Sequence, residues 1–230
     1  MARTAFDREL QRLQDDVVAL GGMVEKAIMD SVDGLKRRDR EAACGLMAAD
    51  KAINTARFAL ENDTLVLIAT QQPMAGDLRM VAAVLEIATE LERMGDYAKG
   101  IAKITLRMGE EPFVKPLIDI PRMARKACDM LHRSLEALVR RDVNLAKAIA
   151  AEDDEMDGLL DQVHRELITY IIADPRIMER ANYLMWVAHN LERTADRVVN
   201  ICERVIFTVT GELVELDVKE DTNSACPDLS

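Results

Sequence analysis

The residues in this sequence with the clearest potential for chemistry form two copies of a Leu-Glu-Arg-x-x-Asp motif. The first copy is Leu91–Asp96 and the second is Leu191–Asp196, 100 positions later (192 − 92 for the glutamates). Residues four positions apart share a face of an α-helix, so each motif places its Glu beside its Asp. Like charges at that spacing repel each other by roughly 0.2–0.5 kcal/mol. A bound cation would relieve that repulsion.

A second pair of oxygen-bearing side chains precedes each motif. Asp153 and Asp157 precede the second copy at the same four-residue spacing, and Asp50 and Asn54 stand at the matching positions before the first. Asn200 follows the second copy by one further helical turn. Carboxylate and amide oxygens without His or Cys are ligands for hard cations. The candidate metal ligands are Asp50, Asn54, Glu92, Asp96, Asp153, Asp157, Glu192, Asp196 and Asn200.

These acidic stripes also have a simpler interpretation. Charged stripes on long helices are commonly solvated faces whose carboxylates pair with neighbouring cations. Arg93 and Arg193 stand inside the two motifs and could supply such partners. The residue types and their repetition leave both interpretations open.

Catalytic constellations are absent from the sequence. We find no nucleophile–base pair, P-loop or Gly-rich nucleotide turn. The nearest matches to the Glu-x-x-His pairs of di-iron bundles are Asp129-x-x-His132 and Asp161-x-x-His164, and the matching positions of the other half lack His. We therefore interpret these histidines and His189 as incidental, and we expect no enzymatic activity.

Helix-breaking residues divide the chain that must position these side chains. Pro73 with Gly76, the proline-rich segment 109–121, Pro175 and Gly211 interrupt an otherwise helical apolar periodicity. In the last stretch the apolar residues step by three or four positions; they are Leu184, Val187, Leu191, Ala195, Val198, Cys202 and Val205. The pattern predicts helices near 6–37, 40–71, 76–108, 117–140, 143–173 and 176–209.

The two halves of the chain read as copies of one unit. Arg37–Asp39 recurs as Arg140–Asp142, 103 positions later (142 − 39), and an acidic segment, a proline and a Leu-Glu-Arg motif then follow in the same order. This order indicates tandem duplication, and short connections make neighbouring helices antiparallel. We predict an all-α fold of two tandem three-helix bundles, at 1–110 and 111–210, followed by an acidic, mobile tail at 211–230.

The composition narrows the function classes further. The net charge of −11 repels a phosphate backbone, so nucleic acid is not an expected partner. The N-terminus has no apolar signal core, and no window approaches the roughly 20 apolar residues that span a membrane. The four cysteines are isolated, which argues against a zinc site or a disulfide framework. We expect a cytoplasmic protein without membrane insertion.

Several segments carry a more specific signal. They are Asp50–Asn54, Gln72–Arg79, Leu91–Asp96, Leu191–Asp196 and Asn200–Glu203. Together they resemble the PhoU family of phosphate-uptake regulators, over a span from about residue 6 to residue 209. The resemblance implies two three-helix bundles and a non-enzymatic negative regulator of phosphate uptake. It also implies two partners, a PhoR-like phosphate-sensing histidine kinase and the PstB-like ATPase subunit of a phosphate ABC transporter.

The resemblance further implies metal clusters, with iron in some family members and other divalent metals in others. For this chain the metal stays open among iron, zinc, manganese and magnesium. The matching positions are Asp50, Glu92 and Asp96 in the first copy, and Asp153, Asp157, Glu192, Asp196 and Asn200 in the second. Asn54, Gly100 and Lys103 depart from the family pattern, where a carboxylate, an Asn and an acid are expected. We therefore predict that the second copy binds metal more tightly than the first.

Two rival hypotheses accompany the regulator. One is a carboxylate-bridged metal bundle for iron storage or oxidase chemistry, which requires redox-active iron and an open coordination position. The other is a metal-free structural helical dimer. Long amphipathic helices with apolar flanks make a homodimer the expected assembly of this protein.

Overall fold

The fold is entirely helical over the residues that the structure describes. The computed structural model describes residues 2–216, with side chains from residue 4 onward. The helices are α1 (Ala2–Arg37), α2 (Arg40–Gln71), α3 (Gly76–Met108), α4 (Asp119–Arg140), α5 (Val143–Ala150), α6 (Asp153–Ala173) and α7 (Met178–Thr210). A 3-10 turn at Pro175–Ile177 precedes α7. No strand occurs within residues 2–216, and the all-α prediction is confirmed.

The repeated Arg-Arg-Asp pattern forms the same turn in both halves. Arg38 and Arg141 adopt left-handed backbone conformations, with φ of 56° and 55°. The following residues cap the next helix: the Asp39 carboxylate accepts the N–H of Ala42, and the Asp142 carboxylate accepts the N–H of Leu145. Asp is a favoured N-cap because its side chain satisfies an N–H that has no helical partner. The pattern therefore ends one helix and starts the next, as predicted.

One helix that was predicted to be continuous is interrupted in the structure. The segment predicted as a single helix at 143–173 is interrupted at Ala151 and Glu152, between α5 and α6. The Glu152 carboxylate binds the Arg133 guanidinium through two contacts of 2.7 Å and the Lys126 ammonium at 2.6 Å, both on α4. The acidic run Asp153–Glu155 then begins α6, where the helix dipole favours carboxylates. The first copy has no such acidic run, and α2 is continuous.

The two units pack as three-helix bundles that share one core. Helix α3 packs against α1 and α2, and α7 packs against α4, α5 and α6. Contacts of α3 with α7 and of α1 with α4 join the units. Leu91 and Ala98 of α3 and Leu191 and Val198 of α7 all lie in the same continuous apolar cluster. Every residue of the predicted apolar seam of α7 is buried.

The connection between the units is held at several points. Arg38 donates a hydrogen bond to the Glu110 carbonyl at 2.8 Å, and Arg180 donates one to the Pro112 carbonyl at 3.1 Å. Lys115 is buried and binds the Asp119 carboxylate at 2.7 Å and also the Glu166 carboxylate of α6. A proline-rich segment that reads as a linker in the sequence is therefore fixed against both units.

The beginning of the predicted tail packs against α7. Gly211 adopts φ of 81° and ends the helix, a conformation that glycine tolerates without steric cost. The Leu216 N–H donates to the Glu203 carboxylate at 2.9 Å, and Val214 contacts the core. Residues 217–230, for which mobility was predicted, lie outside the described residues.

Candidate metal centres

The helices bring the two predicted ligand pairs of each copy onto neighbouring elements. Helices α2 and α3 carry the first set, and α6 and α7 carry the second. The members are Asp50 and Asn54 on α2, Glu92 and Asp96 on α3, Asp153 and Asp157 on α6, and Glu192 and Asp196 on α7. A Cβ added at Gly95 would meet Ile53 at 3.2 Å. The glycine within the first motif thus allows α2 to approach α3 closely.

The second copy concentrates negative charge around Glu192. Burial, followed by the charges of Asp196, Asp157 and Asp153, raises the pKa of Glu192 to about 7. Each of these negative charges raises the pKa because it disfavours the ionised form of the partly buried Glu192. Arg193 opposes the shift, but its guanidinium is 3.1 Å from the Asp196 carboxylate and also bonds Tyr97.

A histidine lies beside this cluster. His189 Nδ1 is 3.3 Å from Glu192 Oε2. Glu192 Oε2 is buried and has no hydrogen-bond partner among the described residues, so the contact with His189 lacks hydrogen-bond geometry. The sequence interpretation of His189 as incidental therefore missed a neighbour of the cluster. The available signal was its position three residues before Glu192, which is one turn of the same helix face.

The first copy already contains a cation. Lys99 Nζ lies 2.6 Å from Asp50 Oδ2 and 3.6 Å from Asp96 Oδ1. The hydrogen bond to Asp50 is the largest cause that raises the pKa of Lys99. Asn54 donates its amide to the same Asp50 oxygen at 3.4 Å. Asn54 thus turns its amide donor, and not its carbonyl oxygen, toward Asp50.

A second cation acts on the first copy. Burial raises the pKa of Glu92, and Asp96 raises it further, but the charge of Arg57 lowers it. Arg57 also pairs with Glu61 at 2.8 Å on α2. Because the copies are offset by 103 on these helices, the position of Arg57 corresponds to the apolar Leu160 in the second copy. The first cluster is therefore partly neutralised by protein groups.

The residues that depart from the family pattern in the first copy are not all in contact with its carboxylates. Lys103 is exposed, and it is Lys99, one turn earlier, that contacts the carboxylates. Lys99 was missed in the sequence, although its position three residues after Asp96 places it on the same face. A Cβ at Gly100 would meet the Asn190 amide at 3.1 Å. Gly100 is thus explained by the packing of α3 on α7.

Asn200 has a hydrogen-bond partner outside the predicted ligand group. Its amide donates to Glu90 Oε2 on α3 at 3.2 Å, and Arg197 approaches the same oxygen at 3.3 Å. This trio links the two units at the contact of α3 with α7. Because its amide is engaged by Glu90, Asn200 is not among the ligands of the second copy.

The donor sets of the two copies differ in how well they fit a metal ion. Across residues 2–216, no group of three or more His, Cys, Asp or Glu side chains converges as a preformed metal cage. The second copy nevertheless fits a hard cation by its chemistry, because four carboxylates share one region and raise the pKa of Glu192. The first copy does not fit, because Lys99 binds Asp50 and reaches Asp96.

Comparison with known proteins decides the family. The PhoU domain model matches residues 17–105 and again residues 120–205. This chain belongs to the PhoU family. The two matched segments each hold one Leu-Glu-Arg-x-x-Asp motif, so the PhoU domain is the duplicated unit of the fold.

Relatives and solved structures of the PhoU family resemble the whole chain. A phosphate-specific transport system accessory protein PhoU homolog from Clostridium acetobutylicum is 33% identical, over 94% of this chain and 100% of its own length. A homolog of the same description from Aquifex aeolicus is 35% identical, over 90% and 94%. The crystal structure of the phosphate transport system regulatory protein PhoU from Streptococcus pneumoniae superimposes with a TM-score of 0.85 at 31% identity, over 92% of this chain and 100% of that one.

Among the described residues, no helix combines the length and the apolar character that crossing a membrane requires.

Proposed function

We propose that this PhoU-family chain is a negative regulator of phosphate uptake and of phosphate-starvation signalling. The observation that carries the proposal is the match of nearly the whole chain to accessory and regulatory proteins of phosphate transport. The chain acts in the cytoplasm as a non-enzymatic adaptor, and it forms a homodimer. Its partners are the PstB-like ATPase subunit of a phosphate ABC transporter and a PhoR-like phosphate-sensing histidine kinase.

The form of the molecule supports an adaptor. Long helices that share one core provide extended surfaces for protein contacts. Large apolar side chains are exposed on several of them, including Phe58 and Leu65 on α2, Ile172 on α6 and Trp186 on α7. Exposed aromatic and aliphatic side chains are the usual anchors of protein–protein contacts.

Metal binding is the second part of the proposal. The second copy holds a divalent or trivalent ion, with iron, zinc, manganese and magnesium all compatible with oxygen ligands. The ligands are Asp153 and Asp157 of α6 with Glu192 and Asp196 of α7. When bound, the ion supplies positive charge that offsets their repulsion and ties α6 to α7. The role of the metal is therefore structural, and the second copy is the site that binds it.

A capture experiment with a functional readout tests the regulator. The chain is removed from its source organism, and uptake of labelled phosphate is measured in cells grown with ample phosphate. Loss of the chain is expected to raise uptake, and reintroduction of the wild type is expected to restore repression. Affinity capture with the chain as bait, read by mass spectrometry, is expected to recover the transporter ATPase and the kinase. Unchanged uptake, with neither partner captured from cells that express both, would contradict the proposal.

One observation favours the metal-oxidase alternative enough to test it. His189 lies 3.3 Å from Glu192 and could supply the nitrogen ligand that such sites use. Oxygen consumption after addition of ferrous iron separates the two functions. The adaptor proposal expects no consumption above that of a His189→Gln, Glu192→Gln variant, whereas an oxidase would consume oxygen only with those residues intact.

A further inference from the structure

The first copy of the carboxylate motif carries a lysine where the second carries an apolar residue. Lys99 follows Asp96 by three positions, and Val199 follows Asp196 by the same three. We propose that Lys99 is a built-in counter-ion that takes the place of a metal in the first copy, so that this chain binds metal only in its second copy. The inference rests on the metal binding proposed above for the second copy.

The two copies differ in their balance of acidic and basic side chains. In the first copy Lys99 and Arg57 act on three carboxylates, those of Asp50, Glu92 and Asp96. The second copy has a fourth carboxylate at Asp157, where the first has Asn54. It has the apolar Val199 and Leu160 where the first has the two cations. The first copy thus has three carboxylates against two cations, whereas the second has four carboxylates with Arg193 beside Asp196, so the second copy has the larger excess of negative charge for an added cation to neutralise.

Lys99 occupies a carboxylate oxygen of Asp50 that a metal ion in the first copy would bind. Its side chain is only 26% exposed, and its ammonium is 2.6 Å from an Asp50 carboxylate that is itself buried. An ammonium group at hydrogen-bond distance from Asp50 Oδ2 occupies the position that a metal ion on that oxygen would take, and the two positive charges would repel each other there. A metal at Asp50 Oδ2 would have to displace Lys99, whose ammonium would lose its closest carboxylate partner.

Removal of the lysine charge tests the inference. The probe is Mn²⁺, and the amount bound per chain is measured by equilibrium dialysis with elemental analysis. Lys99→Met is expected to bind at least one more ion per chain than the wild type. Two matched controls, Lys99→Arg, which keeps the charge, and Lys103→Met, which removes an exposed neighbouring charge, are expected to bind the wild-type amount. The extra ion is expected to disappear in the double variant Lys99→Met, Asp50→Asn.

A built-in reporter separates the two copies. Trp186 is the single tryptophan of the sequence, and its ring makes an edge contact with His189 at a centroid distance of 6.2 Å. His189 in turn contacts Glu192. The change in Trp186 fluorescence on adding Mn²⁺ therefore follows the second copy, and Lys99→Met is expected to leave it unchanged. Without Mn²⁺, Lys99→Met is expected to have a lower thermal unfolding midpoint than the wild type, and Mn²⁺ is expected to restore it.

Each other outcome overturns the inference in a recognisable way. A wild type that loses one ion on Asp50→Asn would show that the first copy binds metal despite Lys99. A folded Lys99→Met that gains no ion, while Trp186 still responds to Mn²⁺, would overturn the inference and leave the proposed second site intact. Absence of Mn²⁺ binding by every variant would overturn both the inference and the metal part of the proposed function, but not the adaptor role, which phosphate uptake tests separately.

Discussion

At the scale of single residues, the two copies differ at one equivalent position, which is Asn54 in the first copy and Asp157 in the second. In the second copy the Asp157 charge is among those that raise the pKa of Glu192. In the first copy Asn54 donates an amide hydrogen bond to Asp50. Asp157→Asn is therefore expected to weaken Mn²⁺ binding by the second copy about tenfold or more, because it removes one anionic ligand. Titration followed by Trp186 fluorescence measures the change.

The matched control for this prediction is the reciprocal substitution. Asn54→Asp adds a carboxylate to the first copy but leaves Lys99 in place, so it is expected to add no bound ion. Equal affinities of Asp157→Asn and the wild type would remove Asp157 from the ligand set.

At the scale of helices, an ion-pair network with α4 holds Glu152 at the break between α5 and α6. The hydrogen bonds from Arg133 are the largest cause that lowers the pKa of Glu152. Burial raises this pKa, but the hydrogen bonds from Lys126 lower it further, and the result is a pKa of about 2. A carboxyl whose folded pKa is depressed adds stability above its unfolded pKa of about 4.5, and this stability is lost as the pH falls toward about 2. Glu152→Gln is expected to lower the free energy of unfolding by about 2 kcal/mol near neutral pH. The difference from the wild type should shrink as the pH falls below about 4.5.

Urea unfolding at a series of pH values measures this effect. The control is Glu155→Gln on the same face, since Glu155 also contacts Lys126 but its side chain is 47% exposed. An exposed pair contributes at most about 0.5–1 kcal/mol, so the control is expected to differ little from the wild type. A loss for Glu152→Gln that stays constant down to acid pH would show that the network does not act through its charge.

At the scale of the whole molecule, a buried polar contact joins the two bundles. Glu90 of α3 meets Arg197 and Asn200 of α7, and the Glu90 and Arg197 side chains are only 14% and 13% exposed. Arg197→Met is expected to lower the free energy of unfolding by about 3 kcal/mol, because it leaves Glu90 buried without its main counter-charge. Urea unfolding is expected to show one transition, since both bundles share one core.

A second arginine provides the control at this contact. Arg93 also lies near Glu90, at 3.5 Å, but its side chain is 51% exposed. Arg93→Met is therefore expected to cost about 0.5 kcal/mol or less. Two separate unfolding transitions, with only one displaced by Arg197→Met, would indicate that the bundles fold independently.

The local pattern of this sequence was enough to predict most helix ends. The predicted helices at 40–71 and 76–108 coincide with α2 and α3, and the prediction for α1 differs only at its N-terminal end. These ends follow from neighbouring residues: Asp39 caps α2, and Pro73 separates α2 from α3. Such signals act within a few positions of the chain, so they can be read without knowledge of the fold.

The features that sequence reasoning missed depend on contacts between distant elements. At the break, Glu152 binds Arg133 and Lys126 of α4, which lie 19 and 26 positions away in the chain. The Lys99 contact with Asp50 joins residues 49 positions apart. The hydrogen bond from Asn200 to Glu90 spans 110 positions. A local helical pattern specifies a face, but it does not specify which neighbour that face meets.

The sequence by itself determined the helical class, the duplication and the two carboxylate stripes, because apolar periodicity, caps and four-residue spacing are properties of one helix at a time. Only the tertiary structure decided how the two stripes differ. It placed Lys99 on Asp50 in the first copy and gathered the charges of Asp153, Asp157 and Asp196 around Glu192 in the second. The physical reason is that the charge of a site is the sum over all helices that meet there, and that sum exists only after packing.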